Sequence, residues 1–95
     1  MSAGVMQQRR PIRRADVWVR QSGGENAVID PDDGSVHLLN ETAMAIWQLC
    51  DGETESSDMI DAICQISGLH AEVVAEDVER ILADFEEAGL VRWLR

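Results

Sequence analysis

The stretch Leu38-Leu39-Asn40-Glu41-Thr42-Ala43-Met44-Ala45-Ile46-Trp47-Gln48-Leu49-Cys50-Asp51-Gly52 changes its hydrophobic period in mid-course, and that switch restricts what the chain can fold into. It opens as the end of an extended run. At Asn40 a side-chain oxygen is available to accept from the free backbone N–H groups of a first helical turn, and Glu41 suits the positive end of the helix. Ala43, Ile46, Trp47 and Cys50 then recur at helical spacing and make one apolar face. Gly52 supplies the left-handed conformation that closes a helix. The stretch therefore welds a sheet edge to a packed helix. Asn40-Glu41-Thr42 also spells a glycosylation sequon, but with no secretory signal evident it reads better as a helix cap.

Elements on either side can be placed from this anchor. Arg14 to Arg20 has the β-branched and aromatic character of a strand. Ser22-Gly23-Gly24 offers a tight connection, and a second strand runs from Asn26 to Asp30. Pro31-Asp32-Asp33-Gly34 is a turn, with proline fixing φ early and glycine taking the left-handed position last. Ser35 to Leu39 is the third strand of an antiparallel meander, with Val36 and Leu38 on one face and His37 and Leu39 on the other; sequence leaves open which face is buried. After Gly52, Thr54, Ser56 and Ser57 all qualify as caps for a second helix over about Ser57 to Ser67, with Met59, Ile60, Ile63 and Ile66 inward and Gly68 at its end. A third helix over about Ala71 to Ala88 carries Val74, Val78, Ile81, Leu82 and Phe85 as an apolar stripe and stops at Gly89. Leu90 to Arg95 is an apolar tail that packs back on the body. Three strands followed by three helices give an α+β domain of winged-helix shape.

With 95 residues the chain holds one core, and residues 14–95 are read as the domain. Residues 1–13 show neither period and read as a flexible, arginine-rich arm. Five of the eight arginines (Arg9, Arg10, Arg13, Arg14, Arg20) fall in the first 20 residues, while 17 of the 18 acids come after Asp16. The body is thus acidic within a formal net charge of −10, which favours cationic or apolar partners. Helix three bears seven acids (Glu72, Glu76, Asp77, Glu79, Asp84, Glu86, Glu87) against Arg80 alone. A winged helix that reads DNA needs phosphate contacts, so this charge opposes nucleic acid as a partner. No 18-residue apolar run suggests a membrane span, and the cytoplasm is the default compartment. Cys50 and Cys64 are expected as reduced, buried thiols. His37, Cys50, Cys64 and His70 do not cluster, so neither a metal nor a cofactor is expected. Cys50 with His37 is the one conceivable nucleophile pair, but a small apolar side chain filling helix one explains Cys50 better, and no enzyme is expected.

A meander of this kind leaves an edge strand open to strand addition by an extended peptide. Val36-His37-Leu38-Leu39-Asn40-Glu41-Thr42-Ala43, Ile46-Trp47, Leu49-Cys50-Asp51-Gly52, Glu76-Asp77-Val78 and Ala88-Gly89-Leu90-Val91 together resemble the PqqD-like family of small peptide chaperones, over roughly residues 14 to 91. The resemblance implies a non-catalytic leader-peptide recognition element, which captures a ribosomally made precursor peptide and presents it to a radical SAM protein, a cyclase or a leader peptidase. It implies a binding groove between the third strand and the third helix, here Val36, His37 and Leu38 with Val74, Asp77, Val78 and Ile81. The valines and Ile81 would take apolar leader side chains, and Asp77 with Glu76 a leader cation. The residues also permit simpler roles: core packing for Val78 and Ile81, and a solvated pairing with Arg80 for Asp77. The other classes in play are a winged-helix nucleic-acid-binding regulator and a plain protein-interaction module.

Overall fold

Turn chemistry sets the strand order. In the computed structural model, which describes residues 10–94, the elements run β1 (Arg10–Arg13), β2 (Trp18–Ser22), β3 (Glu25–Ile29), β4 (Val36–Leu39), α1 (Glu41–Leu49), α2 (Ser56–Ser67), α3 (Ala71–Glu87) and β5 (Val91–Leu94). Gly23 and Gly24, with φ of 59° and 83°, make the two-residue turn between β2 and β3, a conformation that asks for positive φ at both positions. The Pro31–Gly34 turn joins β3 to β4, and Gly34 N–H donates to Asp30 O at 2.8 Å. The resulting antiparallel sheet has the order β2-β3-β4, followed by three helices. This is the expected α+β arrangement.

The outer strands are where sequence reading fell short. Arg10–Arg13, expected as part of the arm, form β1 and pair antiparallel with β5, the expected tail, in a second sheet. Residues 1–9, the rest of that arm, lie outside the described residues. Long-range packing makes the difference: Pro11 is fully buried, its carbonyl accepts from Gly52 N–H at 2.9 Å, and Arg13 N–H donates to Cys50 O at 2.9 Å. None of these partners is near in sequence. The first strand of the meander also begins later than expected, because residues 14–17 leave β1 through a turn.

Caps follow local chemistry in part. Asn40 Oδ1 accepts from Ala43 N–H at 2.8 Å, as expected of an N-cap. Helix α1 closes earlier than expected, at Cys50, and Gly52 serves a different end: a Cβ there would meet Leu94 Cδ1 at 3.1 Å and Ile12 Cδ1 at 3.2 Å. Its missing side chain lets the two-stranded sheet approach. The α2 N-cap is Glu55 without a side-chain bond, while Thr54 is held by Asp51, whose Oδ1 accepts from Glu53 and Thr54 N–H. Those amides hold the Asp51 carboxyl below the usual range, Glu53 most.

The core lies where α1, α2 and α3 meet the inner face of β3. Val74, Val78, Ile81, Leu82 and Phe85, the expected stripe of α3, are all buried, as are Met59 and Ile63 of α2. Trp47 packs edge-on to Phe85 with ring centroids 5.4 Å apart, a contact worth about 0.5–1.5 kcal/mol beyond burial. Its indole N–H is buried and meets no acceptor among the described residues. Ile66, expected inward, is exposed, because the α2–α3 corner that also holds Leu69 and Val73 runs past the core.

Candidate functional site

Hydrogen-bond parity identifies the open side of β4. Asp30 N–H donates to Ser35 O while Asp30 O accepts from Gly34 N–H, so Asp30 bonds across to β4; alternation then turns Ser35 C=O and the N–H and C=O groups of His37 and Leu39 toward β3, and those of Val36 and Leu38 away from it. β4 is a sheet edge, and among the described residues no strand takes these outward groups. The same alternation sets the faces. Val36 and Leu38 stand outward at 58% and 72% exposure, whereas Leu39 packs on the core and His37 is half-buried beside Ser35 Oγ at 3.1 Å.

A groove of about 310 Å3 runs along this edge, between β4 and the second half of α3. Its floor is apolar: Leu39, Ala43, Ile81, Phe85 and Leu90. Its rim is polar, with His37 and Asn40 on the sheet side and Arg80 and Asp84 on the helix side. Of the residues expected here, the structure brings His37, Leu38 and Ile81 to the groove and leaves Val36 on the adjoining outer face. It does not bring Val74 or Val78, which are 2% and 0% exposed in the core and so have no surface to offer. Asp77 is half-exposed and pairs with Arg80 at 3.1 Å, the simpler of the two roles open to it. Sequence reading missed Leu39, Asn40 and Ala43 on one side and Arg80, Asp84, Phe85, Ala88 and Leu90 on the other. The signal was present in the i, i+4 step from Arg80 to Asp84 and from Ile81 to Phe85; what was lacking was the depth at which α3 leaves the core.

Other hollows differ in kind. One of about 490 Å3 under the β2–β3 turn is bordered largely by polar groups, among them Gln21, Ser22, Glu25, Glu41 and Gln48. Another, of about 390 Å3, lies behind β1 and includes Trp47 and Cys50. Burial pushes the Cys50 thiol up to about 12, and its S–H donates to Ile46 O, so it remains a neutral thiol at neutral pH. Both cysteines are free, Cys50 buried and Cys64 only half-buried. Among the described residues no His, Cys, Asp and Glu group is placed to hold a metal, and no helix is long and apolar enough to cross a membrane.

Two arginines prove structural: Arg13, expected in the arm, and Arg14, expected at the start of the first strand. Arg13 donates to Gln48 O and Cys50 O at the C-terminal end of α1, where exposed carbonyls want a cation. Arg14 pairs with Asp16, Asp30 and Asp32, each at 2.9 Å, and donates to Gly89 O at 3.3 Å, so one guanidinium ties the β3–β4 turn to the end of α3. Arg14 in turn holds the Asp16 carboxyl below the usual range.

Comparison with known proteins gives one family. Residues 25–91 match the model described as Coenzyme PQQ synthesis protein D (PqqD). No curated protein matches the sequence significantly. Among solved structures, lasso peptide synthetase B1 complexed with the leader peptide is similar with a TM-score of 0.76 and 21% identity, over 87% of this chain and 98% of that one. TbiB1 in complex with the TbiA(beta) leader peptide gives 0.75 and 18%, over 85% and 94%. The PqqD truncation of Methylobacterium extorquens PqqCD, described as a functional and stand-alone RiPP recognition element, gives 0.73 and 18%, over 86% and 87%. At these identities the likeness is one of fold.

Proposed function

The chain belongs to the PqqD family, and from that premise we propose that it is a non-catalytic cytoplasmic adaptor that captures the leader of a ribosomally made precursor peptide by strand addition at β4. The observation that carries the reading is the outward N–H and C=O of Val36 and Leu38 beside a groove with an apolar floor. A guest backbone satisfies those groups, and its alternate side chains enter the groove. Two fold relatives are described in complex with leader peptides, which supports the same use here. His37 and Ile81 act in the groove, Leu38 lines its edge, and the Val36 and Leu38 side chains border the guest from the outer face; Val74 and Val78 support α3 from beneath. The adaptor hands its guest to a tailoring enzyme such as a radical SAM protein, a cyclase or a leader peptidase, raising local substrate concentration there. The product is a quinone-type cofactor, a lasso peptide or another modified peptide.

Peptides covering the leaders of short reading frames beside this gene provide the test, read by amide chemical shifts. A true leader moves the amides of Val36 to Leu38 and of α3 near Ile81. Affinity that falls steeply with salt, with β4 amides unmoved, would point to nucleic acid or a charged surface instead and sink the reading.

A further inference from the structure

Resting on the strand-addition reading, the geometry points to Asp84 as the residue that selects the guest: we propose that it favours a strand with a lysine or arginine among its groove-facing residues and apolar residues on the alternate face. The two faces follow from register. Guest residues opposite Val36 and Leu38 share the outer face with them, because directly paired residues point the same way. That face is already apolar and open: Trp18, Ile29 and Val36 form one row across the sheet, and Trp18 is 63% exposed. Apolar guest residues there cover Val36 and Leu38 and extend the patch. Guest residues opposite His37 and Leu39 turn the other way, toward α3.

Charge on α3 then discriminates among them. Arg80 is the helix's only cation, and it is committed to Asp77 at 3.1 Å. Asp84, one turn further on at the groove rim, is exposed and has no ion-pair partner among the described residues. Glu76, Glu79, Glu86 and Glu87 add negative field from the same helix. A groove-facing carboxylate on the guest meets repulsion there, and a cation meets an unpaired carboxylate above an apolar floor that accommodates its methylene stem. Asp77 is the less suitable partner, since a guest cation would first have to displace Arg80.

The test is a random dodecapeptide display library selected on the full chain at low salt. The best peptide and its lysine-to-glutamine variant are then titrated by fluorescence anisotropy against wild type, Asp84→Asn and Asp84→Lys. Selected peptides are expected to alternate, apolar on one face and with a cation on the other. Removing the cation weakens binding to wild type about two- to fivefold, the scale of an exposed pair, and changes nothing on Asp84→Asn. Asp84→Lys selects peptides with an acid in its place. Because Asp84 is exposed, both variants keep the native circular dichroism spectrum. Peptides that shift the β4 amides yet show no charge preference, or a cation preference that survives Asp84→Asn, overturn this selection rule and leave the adaptor reading standing. Failure of any peptide to enrich and shift β4 sinks the adaptor reading, and the rule with it.

Discussion

One sheet has two edges, β2 and β4, and they are not equivalent. Both leave backbone groups unpaired: parity from the Gly23–Gly24 turn points Val19 and Gln21 outward on β2, as Val36 and Leu38 point outward on β4. All of β2 is exposed, with Arg20, Gln21 and Ser22 at its far end, the polar and charged dressing that keeps an edge solvated. β4 instead runs beside the groove to which α3 contributes Ile81 and Phe85, whereas the hollow that Val19 of β2 borders also holds Arg13, Arg14 and Asp51. Unpaired edge groups alone do not make a receptor. An apolar groove beside them gives the side chains of an added strand a place to pack.

The two edges can be set against each other directly, and the largest effect on binding belongs to the backbone. Leu38→Pro removes an outward N–H without touching the ladder to β3, and is expected to weaken leader binding at least about tenfold, the scale of one lost hydrogen bond with its unpaired partner. Gln21→Pro does the same to β2 and is expected to leave binding unchanged. Isothermal titration of both variants decides; equal losses would erase the distinction between the edges.

Next comes the groove floor. Ile81→Ala is expected to cost about 2–5 kcal/mol of stability by urea denaturation, toward the low end because Ile81 borders the groove, and to weaken binding as well. Val36→Asp separates the roles: with Val36 exposed, the fold and its circular dichroism stay native while capture weakens severalfold. A native-like Ile81→Ala with unchanged stability would mean that α3 is not anchored there.

The smallest effect lies far from either edge. The Asp51 carboxyl is held below its ordinary value by the Glu53 and Thr54 amides, so its contribution is present above about pH 4 and is lost as pH falls through the lower folded value. Asp51→Asn should therefore flatten the acid limb of a stability-versus-pH curve slightly and leave leader binding at neutral pH intact.

Much of this molecule was legible in its residues. The Asn40 cap, the paired glycines, the Pro31–Gly34 turn and the α3 stripe are set by interactions within a few positions of one another, and such interactions survive in a string. Whatever depends on distant partners was not. Arg10–Arg13 form a strand only because Val91–Leu94 lies alongside, and Gly52 is needed for Ile12 and Leu94, not for its own helix. Helical spacing placed Val78 and Ile81 on one stripe but could not tell that Val78 points into the core while Ile81 reaches its margin. Period fixes which residues share a face; how deeply that face sinks is decided by the elements that pack against it, and so the existence of an open edge was written in the sequence while the walls of the groove beside β4 were settled only by the tertiary fold.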